Sequence, residues 1–329
     1  MRRVNLGLAT ILSASILLAG CATAAPQPES TATSPSPAGS ATSPPSDTPP
    51  PEPVPTLQPT ATTAPAIERV LIFSLDGLRA DAVTPSGTPN IVALAAGGAA
   101  TFAAQTILPS STLPSHGSML SGYEVADHGL TWNDYIPANG YIRTPTLFTL
   151  AHAAGLRTVM VVGKEKLEHI AVPGSVDRFM YVPGGDYEIA AAATAEIQTG
   201  FDVLFVHFIG PDAAGHLYGW MSPTYVGTVL STDEAVRRVL QALDLAGLRE
   251  TTLIILTADH GGHGSTHGSD RPEDMTIPWI IAGPGVAAGR ILGTPVRTFD
   301  TAATAAFALG LPLPADMDGT PVIEAFSTP

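Results

Sequence analysis

Acidic and histidine side chains follow several hydrophobic stretches of this sequence, at positions where they could bind metal ions. They are Asp76, Asp212, His216, Asp259, His260, His263 and His267. Carboxylate oxygens and imidazole nitrogens together suit Zn²⁺ or a related first-row ion. Three aspartates brought to one place would repel one another unless cations lay between them. The residue types therefore predict a metal-dependent site.

Thr112 is a candidate nucleophile. It stands two residues before Pro114, and proline suits the first turn of a helix, where its missing N–H costs nothing. Free N–H groups and the dipole at a helix N-terminus favour an anion, and a hydroxyl there can bind a metal, ionise and attack phosphorus. Local sequence supports a helix N-cap equally well, so both roles stay open at this point.

Continuous hydrophobic runs predict the buried strands that would position these side chains. Amphipathic helical patterns alternate with the runs, which predicts an α/β fold: a mostly parallel sheet with helices on both faces. Ligands of such sheets bind beyond the carboxyl ends of the strands, where the aspartates would meet. The predicted strands are Arg69–Leu75, Thr101–Leu108, Arg157–Val162, Phe201–Phe208, Thr252–Thr257 and Ile277–Ala282, and the predicted helices are Thr88–Gly98, Thr146–Gly155, Asp186–Thr199, Ser222–Ala246 and Thr298–Leu309.

Composition excludes several classes of protein. The 329 residues carry a formal net charge of −14, with only 13% charged side chains. Binding to a nucleic-acid backbone needs clustered Lys and Arg, so no nucleic-acid binding is expected. A small phosphate ester remains possible as a substrate, because bound cations reverse the local sign of the charge. The single cysteine excludes a disulfide framework and a cysteine-based zinc site.

The first 65 residues predict an address and a spacer. Residues 1–21 have a basic start and a short apolar run, typical of a secretory signal, and they end in Leu18-Ala19-Gly20-Cys21, which resembles the bacterial lipoprotein processing box. Cys21 would carry lipid and hold an exported protein at the membrane of the cell envelope. Residues 22–65 contain 28 Pro, Ser or Thr among 44 residues, which predicts a disordered linker. Residues 66–329 would then form a single α/β domain.

Short motifs recur in a recognisable order along residues 68–285. They are Asp76-Gly77, Thr88-Pro-Asn90, Thr112-Leu-Pro-Ser-His116, Gly122, His128-Gly129, Asn133, Asp212 to His216, Asp259-His260-Gly and His267-Gly. This order resembles the alkaline phosphatase superfamily, and within it most of all the type I phosphodiesterase/nucleotide pyrophosphatase branch. The resemblance implies hydrolysis of phosphate esters through a covalent phosphothreonine intermediate.

The resemblance also implies two divalent metal ions, best matched by Zn²⁺. The first ion would be held by Asp76, Thr112, Asp259 and His260, and the second by Asp212, His216 and His267. Asn133 stands where the family has an asparagine that hydrogen-bonds a phosphate oxygen. His267 matches the family's last ligand better than His263 does, because Gly268-Ser-Asp270 and then Asp274 follow it.

Two departures from the family pattern concern the substrate rather than the metals. Leu-Pro-Ser-His replaces the usual Phe-Pro-Asn-His after Thr112, and the stretch between His260 and His267 lacks a long insertion. The alternatives are a phosphomonoesterase, a phosphonate hydrolase or a sulfatase-like hydrolase of the same superfamily. A sulfatase would need Cys/Ser-x-Pro-x-Arg, and no Arg follows Pro114. A more distant alternative is a lipid-anchored solute-binding protein without catalysis, which would bind no stoichiometric zinc.

Overall fold

The computed structural model describes residues 67–327. The signal, lipid attachment and linker predicted for residues 1–65 lie outside the described residues and stay predictions. Within the described part, no helix combines the length and the apolar character needed to cross a membrane.

Eight strands of the described residues form one mixed sheet. They are β1 (Arg69–Leu75), β2 (Ala99–Gln105), β3 (Thr158–Val162), β4 (Arg178–Tyr181), β5 (Val203–Phe208), β6 (Thr252–Thr257), β7 (Thr276–Ala282) and β8 (Arg290–Ile291). Their order across the sheet is β4-β3-β5-β1-β6-β7-β2-β8. All neighbours pair in parallel except that β7 runs antiparallel to both β6 and β2.

The helices cover this sheet in two groups. They are α1 (Pro89–Ala96), α2 (Thr112–Ser121), α3 (Val125–His128), α4 (Leu147–Ala153), α5 (Asp186–Thr199), α6 (Gly210–Tyr218), α7 (Pro223–Leu245), α8 (Pro272–Met275) and α9 (Asp300–Ala308). Helices α1, α5 and α6 contact α7, whereas α2 and α4 contact α9. The central strands β1, β5 and β6 are buried because helices shield both of their faces. The predicted fold class is confirmed.

The direction of β7 explains why the long loop between β6 and β7 lies at the carboxyl edge of the central parallel strands. Because β7 lies antiparallel beside β6, the end of β6 and the start of β7 lie at the same edge of the sheet. Residues 258–275 therefore leave this edge and return to it. The sequence predicted a strand here but not its direction.

Most predicted elements are present, with ends shifted by one to three residues. The strand predicted over Thr101–Leu108 is β2, which starts and ends earlier, and the strand predicted from Phe201 begins at Val203. Five strands and helices of the described residues were not predicted: the short edge strands β4 and β8, the four-residue helices α3 and α8, and helix α6. The α6 sequence contains two glycines and a proline, which disfavour a helix in isolation. Tertiary contacts support it, because the partly buried Asp186 carboxylate accepts hydrogen bonds from the backbone N–H groups of Ile209 and Gly210.

Candidate active site

The predicted ligands meet at the carboxyl edge of the sheet in two groups. What we call the buried group consists of Asp76 after β1, Thr112 at the start of α2, and Asp259 and His260 after β6. The open group consists of Asp212 and His216 in α6, and His267 in the loop before β7. Each residue of the buried group is at most 1% exposed, whereas the His216 side chain is 46% exposed.

The buried group presents three ligand atoms without hydrogen-bond partners. His260 Nε2 lies 3.5 Å from Asp76 Oδ1 and 3.3 Å from Asp259 Oδ2. These three atoms are buried and have no hydrogen-bond partner within the described residues. Leaving buried polar atoms unpaired is costly, and such atoms in a native structure call for an ion or another partner. Two carboxylate oxygens and one imidazole nitrogen fit a divalent cation.

Hydrogen bonds orient these free atoms. Asp259 Oδ1 accepts from the backbone N–H groups of Gly77 at 3.1 Å and His260 at 3.0 Å, which leaves Oδ2 free. His260 Nδ1 donates to the Gly261 carbonyl at 2.8 Å, so its Nε2 carries the lone pair. Asp76 Oδ2 is held by His207 Nε2 at 2.8 Å. Each ligand is therefore fixed by its second polar atom.

The open group is arranged around the single atom Asp212 Oδ1, which is buried and has no hydrogen-bond partner within residues 67–327. His216 Nε2 lies 3.4 Å and His267 Nε2 3.6 Å from it. The Nδ1 atoms donate to the carbonyls of Ser265 and Ser110, so both Nε2 lone pairs are available. This set also fits a divalent cation.

The two groups adjoin each other. His260 and His267 stack with ring centroids 3.8 Å apart, and Asp212, His260 and His267 also offer ligand atoms within 4.8 Å of one another. Close approach is possible because Gly77, at φ +68°, has no side chain: a Cβ there would lie 2.9 Å from Asp212 Cα. The glycine after β1 thus lets Asp76 and Asp212 face each other.

Charge within the site is unevenly balanced. Burial alone would raise the pKa of Asp76, but the Lys164 ammonium and the hydrogen bond from His207 lower it well below its usual value. Burial and the negative charge of Asp76 raise the pKa of Asp259 well above its usual value. Burial also lowers the pKa of His260, and burial together with His260 lowers that of His267 to about 4. Because the neighbouring imidazoles are neutral, Asp76 and Asp259 need additional cations beside them if both carboxylates are to be ionised at once.

Thr112 does not cap its helix. Ser111 occupies the N-cap position of α2 without a side-chain capping bond, and Thr112 is the first residue of the helix proper. Thr112 is 1% exposed, and its hydroxyl accepts a hydrogen bond from Lys164 Nζ at 3.2 Å. Of the two roles left open by the sequence, capping is not adopted.

Asn133 and His263 are also placed by the structure. Asn133 Oδ1 accepts from the N–H of Leu113, next to Thr112, at 2.9 Å. His263 Nδ1 lies 2.7 Å from Asp274 Oδ1, and Asp274 also accepts from Ser269. His263 therefore helps to tie down the loop, while His267 faces Asp212.

Sequence reasoning missed three polar residues of the site: Lys164, Lys166 and His207. Lys164 Nζ lies 2.7 Å from both Asp76 Oδ2 and Asp212 Oδ2. Lys166 Nζ donates to Asn133, and burial and the charge of Lys164 lower its pKa. A signal was available, because these are the only two lysines among the 329 residues and they follow strand β3 directly.

A family model for type I phosphodiesterase / nucleotide pyrophosphatase matches residues 70–275. The chain belongs to this family. The match runs from β1 to the end of α8, so it includes both ligand groups. The superfamily that contains this family is metal-dependent, and the described residues include two groups that could hold metal ions. This chain therefore belongs to a superfamily of phosphoester hydrolases and transferases, which confirms the resemblance of its motifs.

Relatives include several GPI ethanolamine phosphate transferases. The catalytic subunit of the Homo sapiens transferase 2 is 28% identical over 291 residues, covering 80% of this chain and 29% of the relative. Transferase 1 of Gibberella zeae is 31% identical over 147 residues, covering 37% of this chain and 15% of the relative. The chain spans less than a third of the length of these relatives.

Solved structures confirm the fold. An inactive variant of murine ectonucleotide pyrophosphatase / phosphodiesterase 5 in complex with AMP superposes with a TM-score of 0.68 at 15% identity, covering 79% of this chain and 100% of that one. A 2-O GAG sulfatase superposes with a TM-score of 0.64 at 16% identity, covering 78% of this chain and 74% of that one.

Proposed function

We propose that this protein is a two-metal phosphate-ester hydrolase of the phosphodiesterase type, in which Thr112 is the nucleophile. The observation that carries the proposal is the buried group. Three unpaired ligand atoms of Asp76, Asp259 and His260 converge there. The Thr112 hydroxyl adjoins them and shares the Lys164 ammonium with Asp76.

Asp76, Thr112, Asp259 and His260 would hold one divalent ion, and Asp212, His216 and His267 the other. Mixed carboxylate and imidazole ligands favour Zn²⁺. When bound, the ions supply positive charge that favours ionisation of the threonine hydroxyl and of the leaving oxygen.

The side chains then determine the course of the reaction. The Thr112 oxygen loses its proton to solvent and forms a bond to phosphorus while the opposite ester bond breaks, and the leaving oxygen takes the electron pair and a proton from solvent. Asn133 donates a hydrogen bond to a phosphoryl oxygen as its charge grows. Water subsequently attacks the phosphothreonine, releases the phosphate product and restores the hydroxyl. Transfer to an acceptor other than water, as the names of the transferase relatives suggest, would use the same first step.

A second candidate substrate class is favoured by the lysines. Lys164 lies beside Thr112 and Lys166 lies beside Asn133. Together they add two positive charges where the phosphoryl group would bind. Fixed cations stabilise a dianionic phosphoryl or phosphonyl group more strongly than a monoanionic one. A phosphomonoester or a phosphonate is therefore the alternative substrate for the same site.

Turnover of nitrophenyl substrates tests the proposal. The purified full-length chain, loaded with zinc, should hydrolyse bis(4-nitrophenyl) phosphate, and a chelator should abolish the reaction until zinc is restored. Faster hydrolysis of 4-nitrophenyl phosphate or a 4-nitrophenyl phosphonate would favour the second candidate. Hydrolysis of 4-nitrophenyl sulfate alone, or a protein that is inactive and free of stoichiometric metal, would refute the proposed function.

For the cellular address we propose export and lipid attachment at Cys21, which would place a small-molecule hydrolase on the cell envelope. The proposal is supported by the Leu18-Ala19-Gly20-Cys21 motif and the linker that follows it. Cys21→Ser should release the protein from membranes or leave it unprocessed. A mutant that fractionates with membranes at the mature size would contradict the proposal.

A further inference from the structure

Lys166 makes an unusual set of contacts for a partly buried lysine. Its Nζ donates to the backbone oxygen of Asn133 at 2.6 Å and to the side-chain Oδ1 of Asn133 at 3.2 Å. Among residues 67–327, no carboxylate lies within 4.0 Å of Lys166, whereas Lys164 pairs with two. A charged group taken out of water is normally paired with an opposite charge. Lys166 instead holds a neutral amide.

These contacts determine which way round the Asn133 amide sits. Its Oδ1 accepts two hydrogen bonds, from Lys166 Nζ and from the backbone N–H of Leu113 at 2.9 Å. Rotating the amide by half a turn would set its NH₂ group against these two donors and lose both bonds. The Nδ2 atom is therefore left as the free donor of the amide. The amide is bonded to Leu113, the residue that follows the nucleophile Thr112.

We infer that Lys166 is a positioning residue that locks the Asn133 amide with its NH₂ group toward the phosphoryl group on Thr112. This inference rests on the proposed function. A donor held in place before the reaction needs no reorganisation when charge develops on the phosphoryl oxygen, so it stabilises the transition state more than the bound substrate. Loss of Lys166 should therefore lower kcat more than it raises KM.

Direct contact between Lys166 and the substrate is the competing explanation, and a double-mutant cycle separates the two. The variants are Lys166→Met, Asn133→Ala and the combination, assayed as zinc-loaded full-length chains with bis(4-nitrophenyl) phosphate. Asn133→Ala should lower kcat about 100-fold, and Lys166→Met about 10-fold with KM changed less than about threefold. If Lys166 acts through Asn133, adding Lys166→Met to Asn133→Ala should cost less than about threefold.

Two further variants test the physical basis. Lys166→Arg keeps the positive charge and the N–H donors, so it should recover most of the activity that Lys166→Met loses. Glu165→Gln is the matched control: it also changes one charge on the short 3-10 helix that contains Lys166 (Glu165–Ile170), but Glu165 is exposed and no hydrogen bond or ion pair joins it to a site residue in the described structure. We expect its kcat to stay near that of the wild type.

Binding of inorganic phosphate gives a readout other than activity. In calorimetric titrations of the zinc-loaded chain, Lys166→Met and Asn133→Ala should each weaken phosphate binding, and the double variant no more than Asn133→Ala alone. Additive losses in kcat or in phosphate affinity, or a Lys166→Arg variant no better than Lys166→Met, would overturn the inference while the proposed function stands. A wild-type chain that is inactive toward every ester refutes the proposed function, and the inference falls with it.

Discussion

The buried group and the open group share ligand types but differ in their surroundings. Asp76, Asp259 and His260 follow directly from central strands of the sheet and are fully buried. The open group lies on a helix and on a loop, and its His216 side chain is 46% exposed. The buried group also contains the nucleophile candidate Thr112, whereas the open group contains only candidate metal ligands.

This difference suggests a division of labour. The rigid ends of adjacent parallel strands hold their side chains with little freedom, which suits a group that must keep a nucleophile in line with phosphorus. A group on the rim can exchange water and admit substrates of varied shape. The site therefore places its most demanding geometry where the backbone is best fixed.

The largest effect is expected at the nucleophile. Thr112→Ala should lower turnover of bis(4-nitrophenyl) phosphate by at least about 1,000-fold, because the substitution removes the attacking oxygen. Thr112→Ser keeps the oxygen and should retain substantial activity. Since Ser111, not Thr112, is the N-cap, stability should hardly change. Activity of Thr112→Ala within a few-fold of the wild type would remove the covalent mechanism and the special role of the buried group.

The second effect separates two histidines of one loop. His267→Ala should lose one metal equivalent and about 100-fold in activity, because its Nε2 faces Asp212. His263→Ala should keep both metals with a modest change in kinetics, since His263 bonds to Asp274 instead. Elemental analysis and turnover of the two variants decide the question. The reverse pattern would show that His263, not His267, belongs to the open group.

The third effect concerns His128, which packs against α2, the helix that begins at Thr112. Its Nε2 lies 3.1 Å from Ser118 Oγ of α2, and its Nδ1 accepts a hydrogen bond from Leu130 N–H. Burial lowers the pKa of His128 to about 4. The unfolded chain binds this proton near pH 6.5 and the folded chain does not, so stability falls as pH drops from about 6.5 toward 4.

Urea unfolding at pH 6.5 and pH 4.5 measures this dependence. The wild type should lose about 2 kcal/mol more between these pH values than His128→Asn. An equal loss in both proteins would show that His128 is not held neutral in the fold.

The smallest effect is a difference of sign between two aspartates in the chelator-treated protein. Asp259→Asn keeps the hydrogen bonds to Oδ1 and removes an acid whose pKa is raised by burial and by Asp76, so stability should rise or stay the same. Asp212→Asn removes a partner of Lys164 and should cost about 1 kcal/mol.

Thermal unfolding after chelation measures both variants. A loss of stability in Asp259→Asn equal to that in Asp212→Asn would show that the two groups do not differ in their charge balance.

The sequence predicted the strands accurately where a hydrophobic run ends in a polar residue of the candidate site. The runs that became β1 and β6 end in Asp76 and Asp259 because a buried parallel strand delivers the next polar residue to the edge of the sheet. The predictions were less accurate for α6, whose glycines and proline weaken the helical pattern, and for the antiparallel direction of β7. Strand direction depends on the connection and the neighbouring strand, not on the pattern of the strand itself.

The sequence by itself determined the family, the α/β fold and the residues that could bind metals, because residue types, spacing and hydrophobic runs are local properties of the chain. Only the tertiary structure decided that Thr112 does not cap its helix and that Lys164 and Lys166 join the site. For the loop histidines it places His267 opposite Asp212, which is the choice that the family resemblance had implied. Lys164 lies 48 residues from Asp212 along the chain. The two meet because β3 pairs with β5 in the sheet, and such contacts follow from strand order and burial.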